Sequence, residues 1–193
     1  LSMQEQISSI CRACFLELRR IASLRSYLSE ISCARLVTAA ITPHLHYCNS
    51  VLFSLPEEQI SRLHRVQNSA ARLVLKKRKR DHIMPLFKQL YWLPVNYRVQ
   101  YKIAVLAYRH FDQSLPSYLS SSLSTYQPSR TLRSSGEKRL KLPRHNLKTF
   151  GDRSFSFAAP SVWNSLPSGL RCLPTLAEFR TQLKTHMFKR AFL

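Results

Sequence analysis

Five consecutive cations, Lys76, Lys77, Arg78, Lys79 and Arg80, follow a stretch in which Arg62, Arg65 and Arg72 recur at helical spacing. At about 100° per residue, Arg62, Arg65, Arg72 and Lys76 fall within an arc of roughly 80° on one side of a helix. Leu63, Val66, Ala70, Leu73 and Val74 share another side. One helix thus has an apolar face to bury and a basic face to present, and the five-cation run prolongs the basic face. No acidic residue falls between Glu58 and Asp81, whereas a solvent-facing helix ordinarily mixes signs. Guanidinium and ammonium groups repeated along a rod match the repeated phosphates of a nucleic acid, so the chemistry is grip on a polyanion. For the five-cation run itself two further readings stay open: a nuclear-import signal and a solvated charge run.

Two more basic groupings follow. Arg98, Lys102 and Arg109 lie within about 40° on a helix expected over 95–110, with Tyr97, Tyr101 and Tyr108 beside them. Farther on, Tyr126 is interleaved with Arg130, Arg133, Lys138, Arg139 and Lys141, and Arg144 comes next. Rings that stack on bases beside cations that hold phosphates suit single-stranded nucleic acid, and a basic linker is the alternative. Arg130, Arg133 and Arg144 are the candidates for RNA contact in this part.

Other chemistry is poorly represented. Cys11 and Cys14 have C-x-x-C spacing, and with His46 and Cys48 they would make a four-ligand zinc set. Both cysteines, however, lie on the apolar side of an expected helix, and no second pair completes a zinc motif. The ten acidic residues include no Asp-Asp pair, so the clustered carboxylates that two-metal polymerases and nucleases require are not evident. The three glycines, Gly136, Gly151 and Gly169, form no phosphate-binding loop. No catalytic residue, metal or cofactor is therefore expected. The rival reading from another class is a standalone zinc-dependent or other enzyme.

The elements that must position these side chains are helical. The chain has 193 residues, enough to bury a core without staples. Its net charge of +20 is uneven, since residues 1–59 hold five basic and five acidic residues and sum to zero. All the excess lies beyond them, and such a region repels itself unless a partner neutralises it, nucleic acid ahead of an anionic membrane. Five cysteines with no framework spacing point to free thiols in a reducing, intracellular compartment, nuclear or cytoplasmic. No signal peptide and no apolar segment of spanning length are seen, so no membrane is expected. The chain begins with Leu1 rather than Met, as a piece of a longer protein would.

Ser2 and Glu5 match a capping box for a first helix reaching about Leu24. A second helix is expected over 30–53, kinked or interrupted at Pro43, and a third over 56–77. Short helices are expected over 83–90 and 116–123. Residues 138–142 and 147–150 could pair as a hairpin. Asp152 should cap a helix reaching Trp163 or Leu166, and Thr175 with Glu178 should cap the last one, whose seam is Leu176, Phe179, Leu183 and Met187. Trp92 and Trp163 read as core anchors. The fold class is mainly α: a helical bundle over 1–80, a helical extension over 81–112, a Ser/Pro-rich linker over 113–135 and a smaller basic lobe over 136–193.

Several blocks in order carry a resemblance. His46-Tyr47-Cys48-Asn49-Ser50 and Leu63-His64-Arg65-Val66-Gln67-Asn68-Ser69-Ala70-Ala71-Arg72 are similar to the "DYCN…LQRVQN.AAR" signature that lies downstream of the palm in reverse transcriptases of LINE-type non-LTR retrotransposons. Leu90-Tyr91-Trp92-Leu93-Pro94-Val95, Pro128-Ser129-Arg130-Thr131-Leu132-Arg133 and the block from Phe157 to Pro167 continue it over nearly the whole chain. His46 stands where the family has Asp. The resemblance implies the tail of an endonuclease–reverse transcriptase. Residues up to about 80 would be the thumb that grips a template–primer duplex. The remainder would help to hold the element's RNA during target-primed reverse transcription. It also implies that the missing palm and fingers are a partner and that this chain alone neither polymerises nor cuts. The family's C-terminal Cys-Cys-His-Cys knuckle, present in some members, is lacking. A decayed retrotransposon remnant is the further alternative.

Overall fold

A computed structural model of the protein describes residues 3–127, 138–144 and 151–193. Among these the chain is mainly α-helical, and no strand is formed. Two compact units are present: one comprises residues up to Asn49, 55–98 and Phe192, the other 50–54, 99–191 and Leu193.

In the first unit, Ile7, Cys11, Cys14, Leu18 and Ile21 recur every three or four residues and are buried along α1 (Met3–Leu24). The Ser2 cap expected for it lies outside the described residues. Ser29 caps α2 (Glu30–His46) by accepting the Ser32 N–H at 3.1 Å. Cys33, Val37, Ile41 and Leu45 form its inner seam. This helix runs through Pro43 and stops at His46, short of the expected residue 53. Cys48 takes a left-handed φ of 49°, which no α-helix continues through, and residues Asn49–Leu52 form a separate 3-10 turn.

α3 (Glu57–Val74) buries Ile60, Leu63, Val66, Gln67, Ala70, Ala71 and Val74. It packs against α1 and α2, with α4 (Ile83–Gln89) on its flank. It ends at Val74 rather than at residue 77. The Lys77 N–H donates to the Arg72 carbonyl at 3.0 Å, and Lys76 between them has φ 51°, a left-handed helix cap built without glycine. The same closure ends α4 at Tyr91 (φ 52°, Trp92 N–H to Phe87 O, 2.9 Å). It also ends α5 (Val95–Phe111) at Gln113 (φ 54°, Ser114 N–H to Arg109 O, 3.0 Å). Lys76, Tyr91 and Gln113 thus take the left-handed position that glycine usually fills. The buried Gln67 amide donates to the Leu93 carbonyl at 2.7 Å and ties α3 to the segment before α5.

The second unit is built on aromatic packing. Trp163, on α7 (Phe155–Asn164), and Phe179, on α9 (Leu176–Phe192), are fully buried. Tyr108 stacks on Phe179 with centroids 4.6 Å apart, and Phe111 on Trp163 at 5.2 Å. The Tyr108 hydroxyl donates to the Leu173 carbonyl at 2.9 Å, so this ring belongs to the core and not to an exposed stripe. Ser154, not Asp152, is the residue that flanks the start of α7. Thr175 caps α9 as expected, accepting the Glu178 N–H at 3.3 Å. Two short turns of helix, α6 (Ser117–Ser120) and α8 (Ser168–Arg171), complete the unit. Leu140 bridges antiparallel to Thr125, and its N–H and carbonyl are both held by the Asn164 amide at 3.1 and 2.8 Å. The second arm expected at 147–150 lies outside the described residues.

Candidate nucleic-acid interface

α1 and α3 pack side by side, and a groove of about 580 Å³ opens along their C-terminal halves. α3 supplies Arg65, Asn68, Ser69, Arg72 and Leu73 to it. Residues 65, 68, 69 and 72 occupy one arc of a helix because they are spaced by three, four and seven. The inward neighbours Leu63, Val66, Gln67, Ala70 and Ala71 hold that arc outward. Lys76, Lys77 and Lys79 close the groove's end, and Phe15 of α1 forms part of its wall. No carboxylate lines it, and none of its cations is ion-paired among the described residues. Arg72 is half-buried, with Nη2 donating to the Asp81 carbonyl at 3.1 Å and a buried Nε without a partner.

The basic run does not continue the helix, as the left-handed Lys76 turns the chain. The Arg78 N–H then donates to Asp81 Oδ2 at 2.8 Å, and the Asp81 N–H returns to the Arg78 carbonyl at 3.1 Å. This turn keeps Lys76, Lys77, Arg78, Lys79 and Arg80 exposed, with Lys76, Lys77 and Lys79 on the groove. Arg25 fixes the helix end from beneath. Its buried guanidinium donates to the carbonyls of Leu73 (2.9 Å), Val74 (2.7 Å) and Leu28 (2.7 Å). A cation on the unpaired carbonyls at a helix C-terminus satisfies both their hydrogen bonds and the negative end of the dipole.

The sequence candidates separate accordingly. Arg65, Arg72, Lys76, Lys77 and Lys79 come together. Arg78 and Arg80 are exposed beside them. Arg62 is half-buried and bonded to Ser8 Oγ at 3.0 Å, so it ties α3 to α1. Arg98 is turned inward: Nε donates to the Leu93 carbonyl at 2.7 Å, Nη1 meets His46 Nε2 at 2.8 Å, and burial lowers its pKa to about 10. Lys102 is exposed on α5. In the second unit, Arg144 and Lys141 line a groove of about 610 Å³ with Ser122, Ser124 and Ser156. Arg130 and Arg133 lie outside the described residues.

The cysteines do not assemble a ligand set. Cys11 and Cys14 face the core, and burial pushes the Cys14 thiol up to about 11, with Cys11 adding to it. Burial raises Cys11 too, partly offset by Arg62 and Arg65. Both stay protonated near neutral pH, whereas zinc and nucleophilic chemistry need thiolates. Cys48 is exposed, and no group of three metal-binding side chains forms among the described residues. Nor is any helix among them long and apolar enough to cross a membrane.

Sequence reasoning missed Phe15, Asn68, Ser69 and Arg25. Ser69 shares the basic arc and Asn68 lies about 40° beyond its edge, so both were legible by spacing. Phe15 and Arg25 are distant in the chain, and only the packing of α1 on α3 brings them to the groove. Comparison with protein-family models, with curated proteins and with solved structures gives no match.

Proposed function

We propose that this chain is a non-catalytic nucleic-acid-binding part of a LINE-type retrotransposon reverse transcriptase, which grips template–primer or element RNA during target-primed reverse transcription. The observation that carries the binding is the carboxylate-free groove with Arg65, Arg72, Lys76, Lys77 and Lys79 along it. Five unneutralised cations in one concave surface draw phosphates and release counterions when they bind. The parentage rests on the sequence blocks alone. The absent palm and fingers are the partner that this parentage supplies, and the compartment is intracellular and reducing, in keeping with five free thiols. Phosphate contacts position a nucleic acid without reading its sequence. Affinity for a labelled duplex and for single-stranded RNA, measured across a salt series, tests the reading. A steep power dependence is expected, and Arg65→Ala with Arg72→Ala should flatten it by about 1.4–1.8 for all sequences alike. No binding at low salt by folded protein overturns the reading.

A further inference from the structure

Phe15 does not fit a groove built only for phosphates. α1 turns Ile7, Cys11, Cys14, Leu18 and Ile21 inward, yet leaves this ring 37% exposed on the groove wall. The groove it shares holds Asn68 and Ser69 between Arg65 and Arg72. The Ser69 hydroxyl is spent on the Arg65 carbonyl at 2.9 Å, while the Asn68 amide makes no hydrogen bond among the described residues. An aromatic face, an unspent amide and a line of cations are what an unpaired nucleotide needs: a surface to stack on, a donor and acceptor for its base edge, and charge for its phosphates. A duplex can use the amide and the cations but not the ring, because its base faces are already stacked on one another. The volume, about 580 Å³, lies within the range of small-ligand sites, roughly 300–1,000 Å³.

We infer that the α1–α3 groove takes unpaired nucleotides, of RNA or of single-stranded DNA, with one base stacked on Phe15 and paired at its edge with Asn68, and with its flanking phosphates on Arg65, Arg72 and Lys76. This rests on the nucleic-acid reading above and narrows it to unpaired strands.

The test compares the full chain with Phe15→Leu and Phe15→Tyr. The probes are an oligouridylate, an oligothymidylate and a duplex, each of about a dozen units, across a salt series. Stacking is not ionic, so Phe15→Leu should weaken single-strand binding roughly tenfold to a hundredfold at every salt concentration without changing the slope. Duplex affinity should stay within about twofold, and Phe15→Tyr, which keeps the ring, should bind as the parent does. The single strand that loses more identifies the source. Circular dichroism establishes that each variant is folded. Single-strand affinity of folded Phe15→Leu within twofold of the parent, or equal losses on duplex and single strand, overturns the inference and leaves the wider reading intact. Failure of the parent chain to bind any probe overturns both, and it is read without reference to the variants.

Discussion

Lys76 is expected to show a conflict between stability and binding. It sits at φ 51° in the cap that closes α3, with the Leu75 N–H on Ala71 O at 3.1 Å and the Lys77 N–H on Arg72 O at 3.0 Å. A left-handed residue with a Cβ costs about 1–2 kcal/mol relative to glycine. Lys76→Gly removes that cost and returns about 0.4–1 kcal/mol as unfolded-chain entropy, for a net gain of about 0.5–1 kcal/mol. In a chain of this length the gain corresponds to a Tm rise of about 1–4 °C. The same change deletes a groove cation, so the slope of log K against log salt should become shallower by about 0.9 on duplex and about 0.7 on a single strand. Lys76→Ala separates the two effects: it loses the charge and keeps the strained Cβ, so the slope should flatten with no gain in Tm. Thermal unfolding and fluorescence anisotropy read both quantities. A Lys76→Gly chain that is no more stable refutes the cap argument. An unchanged salt slope in both variants removes Lys76 from the interface.

Arg25→Ala should cost about 2–4 kcal/mol in urea unfolding, because it strands the Leu73, Val74 and Leu28 carbonyls that the buried guanidinium now satisfies. Arg25→Lys should restore little of this, since a single ammonium cannot span three acceptors; full restoration would show that charge at the helix end, and not the fork, is what matters. Acidification should destabilise the fold through three histidines. Burial lowers the pKa of His64, His110 and His186, with Arg190 and Lys189 adding to the effect at His186 and Glu57 opposing it at His64. The unfolded chain titrates near 6.5, so below that pH it takes up protons that the folded chain resists. The contribution is complete above pH 6.5 and is lost as pH falls through the lower folded values, by at most about 1.4 kcal/mol per pH unit per histidine. Urea midpoints that stay flat between pH 7.5 and 5.5 would refute this, and His64→Gln should reduce the slope.

Most helices were legible because their apolar residues keep a strict period. Ile7 through Ile21 and Leu176 through Met187 can face a core only as helices, and the Thr175 cap was readable from a hydroxyl three residues before Glu178. The ends of α2 and α3 were not legible. The usual stop signal is glycine, and this chain spends Cys48 and Lys76 at left-handed positions instead. The inward turn of Arg98 was not legible for a related reason. Spacing gives the direction a side chain leaves its helix, but not that a guanidinium will fold back onto Leu93 O and His46. The hairpin expected over 138–142 and 147–150 has its second arm outside the described residues. In the first, the Asn164 amide holds both backbone groups of Leu140, and the bridge to Thr125 is made by the Tyr126 N–H on Arg139 O and the Lys141 N–H on Ser124 O.

The blocks that carry the sequence resemblance interlock as scaffold. Gln67 of the second block donates to Leu93 of the third, and His46 of the first meets Arg98 just beyond it. Yet the stretch from Leu63 to Arg72 also holds four of the groove's polar residues: Arg65, Asn68, Ser69 and Arg72. The two roles alternate along one helix, with Leu63, Val66, Gln67, Ala70 and Ala71 inward and Arg65, Asn68, Ser69 and Arg72 at the groove. Such an arrangement lets the faces be separated by experiment. Replacing the exposed Arg65 alters charge with little loss of packing, and surface substitutions of this kind usually stay within about 0.5 kcal/mol. A Gln67 change instead removes one of the two donors on the Leu93 carbonyl, the other being Arg98 Nε, which costs about 0.5–1.5 kcal/mol and leaves the cations in place. The pattern of the block alone therefore speaks for a helix of this packing, while the case for nucleic acid rests on the outward residues and the carboxylate-free surface they make with Lys76, Lys77 and Lys79.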